Sequence, residues 1–195
     1  MFYHQLGTSQ TEDEIVFEDT THPLRNHSGF ATKDKHFLVI TASEGTSGNT
    51  IHVKDLTNSD SEFITLVNDF DNDNYVIDNL GDELLIFTNY NAPNQRIVSA
   101  TLEHPTKENW KDFITEKAYV LASVNFAGDK IFANYLKDVQ SKIEVYQMDG
   151  KYIKDLELPG IGICSGISGD KEETTAYFSY TSFTTPNCNY KVNTT

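Results

Sequence analysis

The chain has 195 residues, 38% hydrophobic and 23% charged, enough for one domain with a real core. Its 29 acidic residues outnumber 15 basic ones for a net charge of −14, with no Lys/Arg-rich run, which excludes a nucleic-acid footprint and implies repulsion from anionic surfaces. No apolar stretch has the length of a membrane span, and Met1-Phe2-Tyr3-His4-Gln5 lacks the basic start and apolar run of a signal peptide.

In chain order, residues 2–6 read as a strand, 7–13 as a polar loop and Ile15-Val16-Phe17 as a second strand. They look like the third and outer strands of an incomplete unit over 1–19, as a piece of a longer chain would begin. Residues 18–28, with Pro23, form a connection. A unit then recurs: strand, tight turn, strand, a β-branched third strand, and a shorter, more polar fourth. Turns fall at Asp34, Gly81, Gly128 and Gly169. The third strands Ile51-His52-Val53, Ile97-Val98-Ser99, Ile143-Glu144-Val145 and Tyr190-Lys191-Val192 start 46, 46 and 47 residues apart. Fourth strands follow at 63–66, 112–114 and 153–158. A fixed period of this length in an all-β chain marks propeller blades. Inner strands, flanked on both sides, must be apolar, whereas the outer edge tolerates charge.

The expected fold class is therefore all-β, a partial β-propeller of about four four-stranded blades. Whole blades are expected at 29–66, 75–114 and 119–158, with an incomplete last blade at 161–192. The only helical prospect is one turn at Lys107-Glu108-Asn109-Trp110. The two partial ends are not complementary, since both supply a third strand. An open arc is expected, with apolar terminal faces that self-association would cover.

Residues with chemistry are sparse. Cys164 and Cys188 are predicted on the first and third strands of the last blade, two strand spacings apart, roughly 9–10 Å. A disulfide needs Cα atoms within about 7 Å, so free, partly buried thiols are expected. Gly45-Thr46-Ser47-Gly48-Asn49 and Gly166-Ile167-Ser168-Gly169-Asp170 each miss the last glycine of a nucleophile elbow, and neither precedes a helix pattern. Asp69-x-Asp71-x-Asp73 opens like a calcium loop, but Asn74 and Leu80 stand where glycine and glutamate are required. The six histidines show no metal-ligand spacing and read as surface or turn residues. Adjacent carboxylates such as Glu12/Asp13 and Glu172/Glu173 point to opposite faces of a strand and read as solvated charge. No metal or cofactor is expected.

Several stretches occur in order and at compatible spacing along the whole chain. They are His4-Gln5-Leu6-Gly7-Thr8-Ser9-Gln10-Thr11-Glu12-Asp13, Gly45-Thr46-Ser47-Gly48-Asn49, Val53-Lys54-Asp55-Leu56, Asn91-Ala92-Pro93-Asn94, Asn109-Trp110-Lys111-Asp112, and Thr181-Ser182-Phe183 with Pro186. Together they resemble the propeller domain of the prolyl oligopeptidases, the prolyl endopeptidases, particularly bacterial members. The resemblance implies the later blades of a seven-bladed ring, close to where the family's chain enters its α/β-hydrolase domain. That domain, with its Ser, Asp and His, is not in this stretch, which implies no catalysis by these residues alone. The implied role is to scaffold and gate the active site of a serine peptidase that cleaves proline-containing short peptides. Implied partners are that hydrolase domain and proline-containing peptides, with no nucleic acid and no membrane. By alignment, Asn26 and Thr46 fall where propeller loops line the family's substrate pocket. Family members place a Met and a Cys there; this chain has neither, so a reactive-thiol role does not carry over. Members reside in cytoplasm or periplasm, and either is expected here. The alternative is a stand-alone small propeller acting as a protein- or peptide-binding module.

Overall fold

The β-branched and aromatic runs form strands in a computed structural model that describes residues 1–195. β1 (Phe2–Tyr3) and β2 (Glu14–Ile15) make an antiparallel two-stranded sheet. The first four-stranded sheet is β3 (Asn26–Ala31), β4 (Phe37–Ser43), β5 (Thr50–Asp55) and β6 (Ile64–Val67). The second is β7 (Asn74–Leu80), β8 (Glu83–Thr88), β9 (Arg96–Ala100) and β10 (Lys111–Ile114). The third is β11 (Val120–Ala127), β12 (Lys130–Lys137), β13 (Gln140–Gln147) and β14 (Tyr152–Asp155). The fourth holds β15 (Ile163–Cys164), β16 (Ser168–Gly169), β17 (Thr175–Thr181) and β18 (Cys188–Asn193). Helix is confined to 3-10 turns at Gln10–Glu12 and Lys107–Asn109. The fold is thus all-β, a partial β-propeller of four antiparallel four-stranded sheets in succession.

The middle strands explain why these runs are so apolar. Leu84, Leu85 and Ile86 are all buried on consecutive positions, as are Val39 with Ile40 and Ile131 with Phe132 and Ala133. A strand flanked on both sides and covered on both faces shows no alternation. The outer β14, by contrast, is exposed at all four residues.

Two compact units result, 1–74 with 101–109, and 75–100 with 110–195. In the first, Phe17 sits 5.6 Å from the His27 ring, 5.2 Å from His52 and 5.3 Å edge-on to Phe63, so β1 and β2 are anchored by aromatic contact. In the second, Leu85, Ile97 and Ile114 of the second sheet pack with Leu121, Ile131, Tyr135 and Tyr146 of the third. Phe132, Ile143 and Val145 of the third sheet pack with Ile167, Phe178 and Tyr180 of the fourth. Lys171, in the turn before β17, pairs with buried Asp78 on β7 and lies 4.8 Å from the Phe126 ring centroid on β11.

Several local expectations change. Gly81 (φ 60°) and Gly128 (φ 56°) make two-residue turns with positive φ at the first central position only, the II′ pattern. Lys35 (φ 61°) supplies the left-handed residue beside Asp34. Gly169, however, is not a turn residue. It ends β16, and the chain turns over 170–174. A side chain at Gly169 would meet the Ala127 Cβ at 2.8 Å, so this glycine serves close sheet-to-sheet approach instead. The first strand of the fourth sheet is broken into β15 and β16, both paired to β17, with Ile167 between them buried in the core. The first blade's strand begins at Asn26, not in a connection reaching Ser28, because Asn26, His27 and Ser28 pair with Ser43, Ala42 and Thr41. His27 and His52 lie in strands and are half-buried, not surface or turn residues. Burial and the neighbouring His27 hold the His52 imidazole below its ordinary pKa, with Asp19 opposing.

Cys164 and Cys188 are both opposite Tyr180 on β17, one strand apart, and both thiols are free. Cys164 is buried, which pushes its thiol pKa up to about 11, whereas Cys188 is exposed.

Ile131 lies fully buried in the layer between the second and third sheets. Ile131→Ala is expected to destabilise the chain by about 3 kcal/mol, from lost transfer energy plus the cavity left behind. Urea denaturation followed by far-UV circular dichroism checks it as a lower midpoint with an unchanged slope.

Candidate functional site

In an antiparallel meander the second-to-third-strand loop and both segments that enter and leave the sheet lie at the same end. For the first sheet these are residues 44–49, 18–25 and 68–73. Asn26 opens β3 opposite Ser43, and Thr46 stands at the middle of the 44–49 loop, so both lie at this end. Both are exposed. The structure thus brings the two residues to one end of one sheet, and records no hydrogen bond between them.

The loop that carries Thr46 is held on both sides. Arg25 reaches from the entering segment to Glu44, with Nε donating at 2.9 Å and Nη2 at 2.8 Å from the same Oε1. Its Nη1 donates to Asp19 Oδ2 at 3.1 Å, and the guanidinium lies 5.0 Å from the Phe70 ring centroid. A planar fork that can serve two carboxylates while stacking on an aromatic ring is a role lysine cannot fill. On the far side the Gly48 amide donates to Asp73 Oδ1 at 2.7 Å. Asn49 and Asn74 bond reciprocally, Asn49 Nδ2 to the Asn74 carbonyl at 2.7 Å and the Asn74 amide to Asn49 Oδ1 at 2.8 Å. Gly48 has φ 75°, and a Cβ on it would overlap the Phe70 carbonyl, so only glycine fits.

Asp19 is hydrogen-bonded by Thr21, which, against some desolvation and with help from His22, drives its carboxyl far below the ordinary range. Thr21, His22, Pro23, Leu24, Arg25 and Glu44 surround a cavity of about 390 Å³, with Leu24 exposed at its rim. Two of the three aspartates in 69–73 have partners: Asp69 accepts from Lys107 Nζ at 2.8 and 2.9 Å, and Asp73 accepts from the Gly48 amide.

The strongest buried charge is elsewhere, on β13. Glu144 is 1% exposed and ringed by donors. Its Oε1 accepts from Lys142 Nζ at 2.6 Å and Tyr119 OH at 3.1 Å, and its Oε2 from Lys117 and Tyr146. Burial alone would raise its pKa; the bonds from Lys117, Lys142 and Tyr146 outweigh burial and bring it down to about 2. Burial pushes the Tyr135 hydroxyl up to about 12, and burial plus Glu144 raises that of Tyr146. Every lone pair of the carboxylate is thus occupied by a neighbour, which suits a structural anchor and leaves no proton to transfer. Sequence reading passed over Glu144 because a charged residue at a strand's centre is ordinarily outward-facing. The compensating Lys117 and Tyr119 lie 27 and 25 residues away.

The family model described as prolyl oligopeptidase, N-terminal beta-propeller domain, matches residues 1–195. The prolyl endopeptidase of Elizabethkingia miricola is 38% identical over 186 residues, 95% of this chain and 26% of its own length. That of Elizabethkingia meningoseptica is 37% identical over 195 residues, 100% of this chain and 27% of its own. Among solved structures, one from a study of two prolyl endopeptidases and their inter-domain dynamics superposes with a TM-score of 0.89 at 30% identity. It is covered over 28% of its length by 99% of this chain. Prolyl oligopeptidase B of Galerina marginata, bound to a 35-residue substrate, gives 0.89 at 29% identity, over 100% of this chain and 28% of its own. The chain therefore spans about a quarter of the length of the relatives it matches.

Two outcomes are expected from these networks. The Glu144 carboxylate is favoured by folding, so its contribution is complete above the ordinary carboxyl pKa of 4.5 and is lost as pH falls towards about 2. Glu144→Gln removes the only carboxylate that both lysines share and should lower stability at neutral pH by about 3 kcal/mol. It should also flatten the acid limb of the stability profile between those pH values, read by denaturation at stepped pH. For the loop, Gly48→Ala is expected to destabilise by about 2 kcal/mol or more. Amide exchange across 44–49 should then speed up while β4 and β5 stay protected.

Proposed function

The chain belongs to the prolyl oligopeptidase family, as part of its N-terminal β-propeller domain, and on that premise we propose that it serves a serine endopeptidase acting on short proline-containing peptides. Its share of that work is to scaffold and gate the active site of a hydrolase domain. Catalysis belongs to the hydrolase domain. The observation that carries this reading is the match over the whole chain, in sequence and in fold, to prolyl endopeptidases about four times as long. The residues agree with it: no Gly-x-Ser-x-Gly stands at a strand-to-helix turn, and the best-buried carboxylate is saturated by donors.

In this reading Asn26 and Thr46 form part of the wall that a peptide meets. Both are exposed at the end of the first sheet where Arg25, Asp73 and Asn49 fix the loop, which supports a preset rather than an adaptable contact. A ring whose channel is too narrow for folded proteins would account for selecting short peptides. Residues 1–195 alone also leave Phe2, Tyr3 and Ile15 exposed on β1 and β2, and self-association through that sheet is part of the proposal.

The expected behaviour is that residues 1–195 alone do not hydrolyse a proline-containing peptide amide, whereas a parent-length chain does. Turnover by the purified 195-residue chain that a serine-directed covalent inhibitor blocks would overturn the assignment.

A further inference from the structure

The repeat puts His52, Val98 and Glu144 at one equivalent place, the middle of the third-strand triplets, 46 residues apart (98 − 52 and 144 − 98). Val98 is fully buried, and Glu144 is saturated by donors. His52 has neither arrangement. Its Nδ1 lies 3.0 Å from Thr65 Oγ1 and its Nε2 3.2 Å from Thr50 Oγ1. A hydroxyl can donate or accept, so these bonds survive protonation of the ring, but they supply no countercharge. Beside it on β3, His27 Nε2 is buried with no hydrogen-bond partner. A protonated imidazole carries N–H on both nitrogens, so a proton on His27 would leave a buried donor unpaired.

Both imidazoles stand where the β1–β2 sheet meets the first four-stranded sheet. The Phe17 ring, just after β2, lies 5.6 Å from His27 and 5.2 Å from His52, and edge-on to Phe63 at 5.3 Å. Met1 lies over Gly29, where a Cβ would come within 2.9 Å of the Met1 sulfur. No backbone hydrogen bond joins β1 or β2 to the first sheet; the Val16 and Phe17 amides turn back to the Met1 carbonyl at 3.0 and 3.4 Å. This layer is therefore held by a few side chains, and two of them can take up a proton near neutral pH.

We propose that the contact between the β1–β2 sheet and the first four-stranded sheet is a proton-operated joint, closed while His27 and His52 are neutral and loosened when they are protonated in mildly acidic surroundings. The charges around it favour this direction. Burial and His27 hold the His52 imidazole below its ordinary 6.5, with Arg25 adding and Asp19 opposing. Asp19 is already engaged by Thr21, His22 and Arg25. β4 and β6 carry no charged residue, the ionisable groups of β1 and β2 are the exposed Tyr3 and Glu14, and on β5 itself Lys54 and Asp55 follow His52. A base whose pKa falls on folding gives stability that is complete above 6.5 and is lost as pH drops below it. The packed layers between the second, third and fourth sheets contain no histidine, and Glu144 releases its contribution only below 4.5. The joint therefore opens at a pH where those layers hold.

Amide hydrogen exchange of the 195-residue chain at about pH 7.5 and about pH 5.5, corrected for the intrinsic rate at each pH, tests this. A two-stranded sheet released from its support does not hold by itself, so the Val16 and Phe17 amides report the opening. Their opening constant is expected to rise several-fold at the lower pH, with a ceiling of about tenfold for each histidine, because the pH then lies about one unit below the ordinary imidazole value. Amides of β12 and β13 should keep their opening constants. His52→Gln, which can still bond both threonines, and His27→Gln should each lessen the rise, and the two together should abolish it. His22→Gln, at the exposed pair with Asp19, should leave it as it was. No rise at Val16 and Phe17, or an equal rise in β12 and β13, would overturn the joint. So would a rise that persists undiminished in either single substitution, which keeps the test decisive even where the double one does not fold.

Discussion

Packing of one sheet face against the next is the constraint on which the rest depends. In the unit formed by 75–100 and 110–195, the third sheet is covered on one face by Leu85, Ile97 and Ile114 and on the other by Ile167, Phe178 and Tyr180. A sheet covered twice has no solvated face, so polar chemistry is driven to the strand ends and loops. Glu144 is the exception that shows the rule's severity: a carboxylate between sheets is tolerated only with two lysines and two tyrosines around it. The same pressure puts glycine at position 169, where the third and fourth sheets approach too closely for a side chain.

Loops at the sheet ends are made stiff by their own contacts. The 44–49 loop illustrates this with one guanidinium clamp, one aspartate on a backbone amide and one reciprocal pair of asparagines. Most of these are single bonds, and exposed ion pairs of the Arg25–Glu44 kind contribute little by themselves. Their effect is collective: a loop tied at both shoulders has few conformations left, so whatever meets Thr46 meets one arrangement.

The architecture was legible in the sequence because period and burial speak the same language. Third strands 46 to 47 residues apart in an all-β pattern mark four-stranded repeats, and the structure has four such sheets in succession. What was not legible was long-range compensation. Nothing local to Glu144 announces Lys117, and nothing local to Gly48 announces the Phe70 carbonyl. Gly169 was misread because a Gly-Asp pair between two strand patterns signals a turn equally well whether glycine is needed for φ or for space. Asn26 was placed in a connection because Asn-His-Ser has little strand propensity; pairing with Ser43, Ala42 and Thr41 overrides it. The two site residues themselves were reached through family resemblance, since an exposed Asn and an exposed Thr carry no signal of their own.

A repeat fixes where loops emerge and leaves their length and chemistry open. The second-to-third-strand connection is 44–49 in the first sheet, held by polar bonds, but only Asp138-Val139 in the third. The longer version satisfies its backbone through the Asp73 carboxylate and the Asn72 carbonyl and exposes Thr46; the shorter one holds a valine at φ 60°. The difference between blades therefore lies in loop length, which the period of the repeat does not specify.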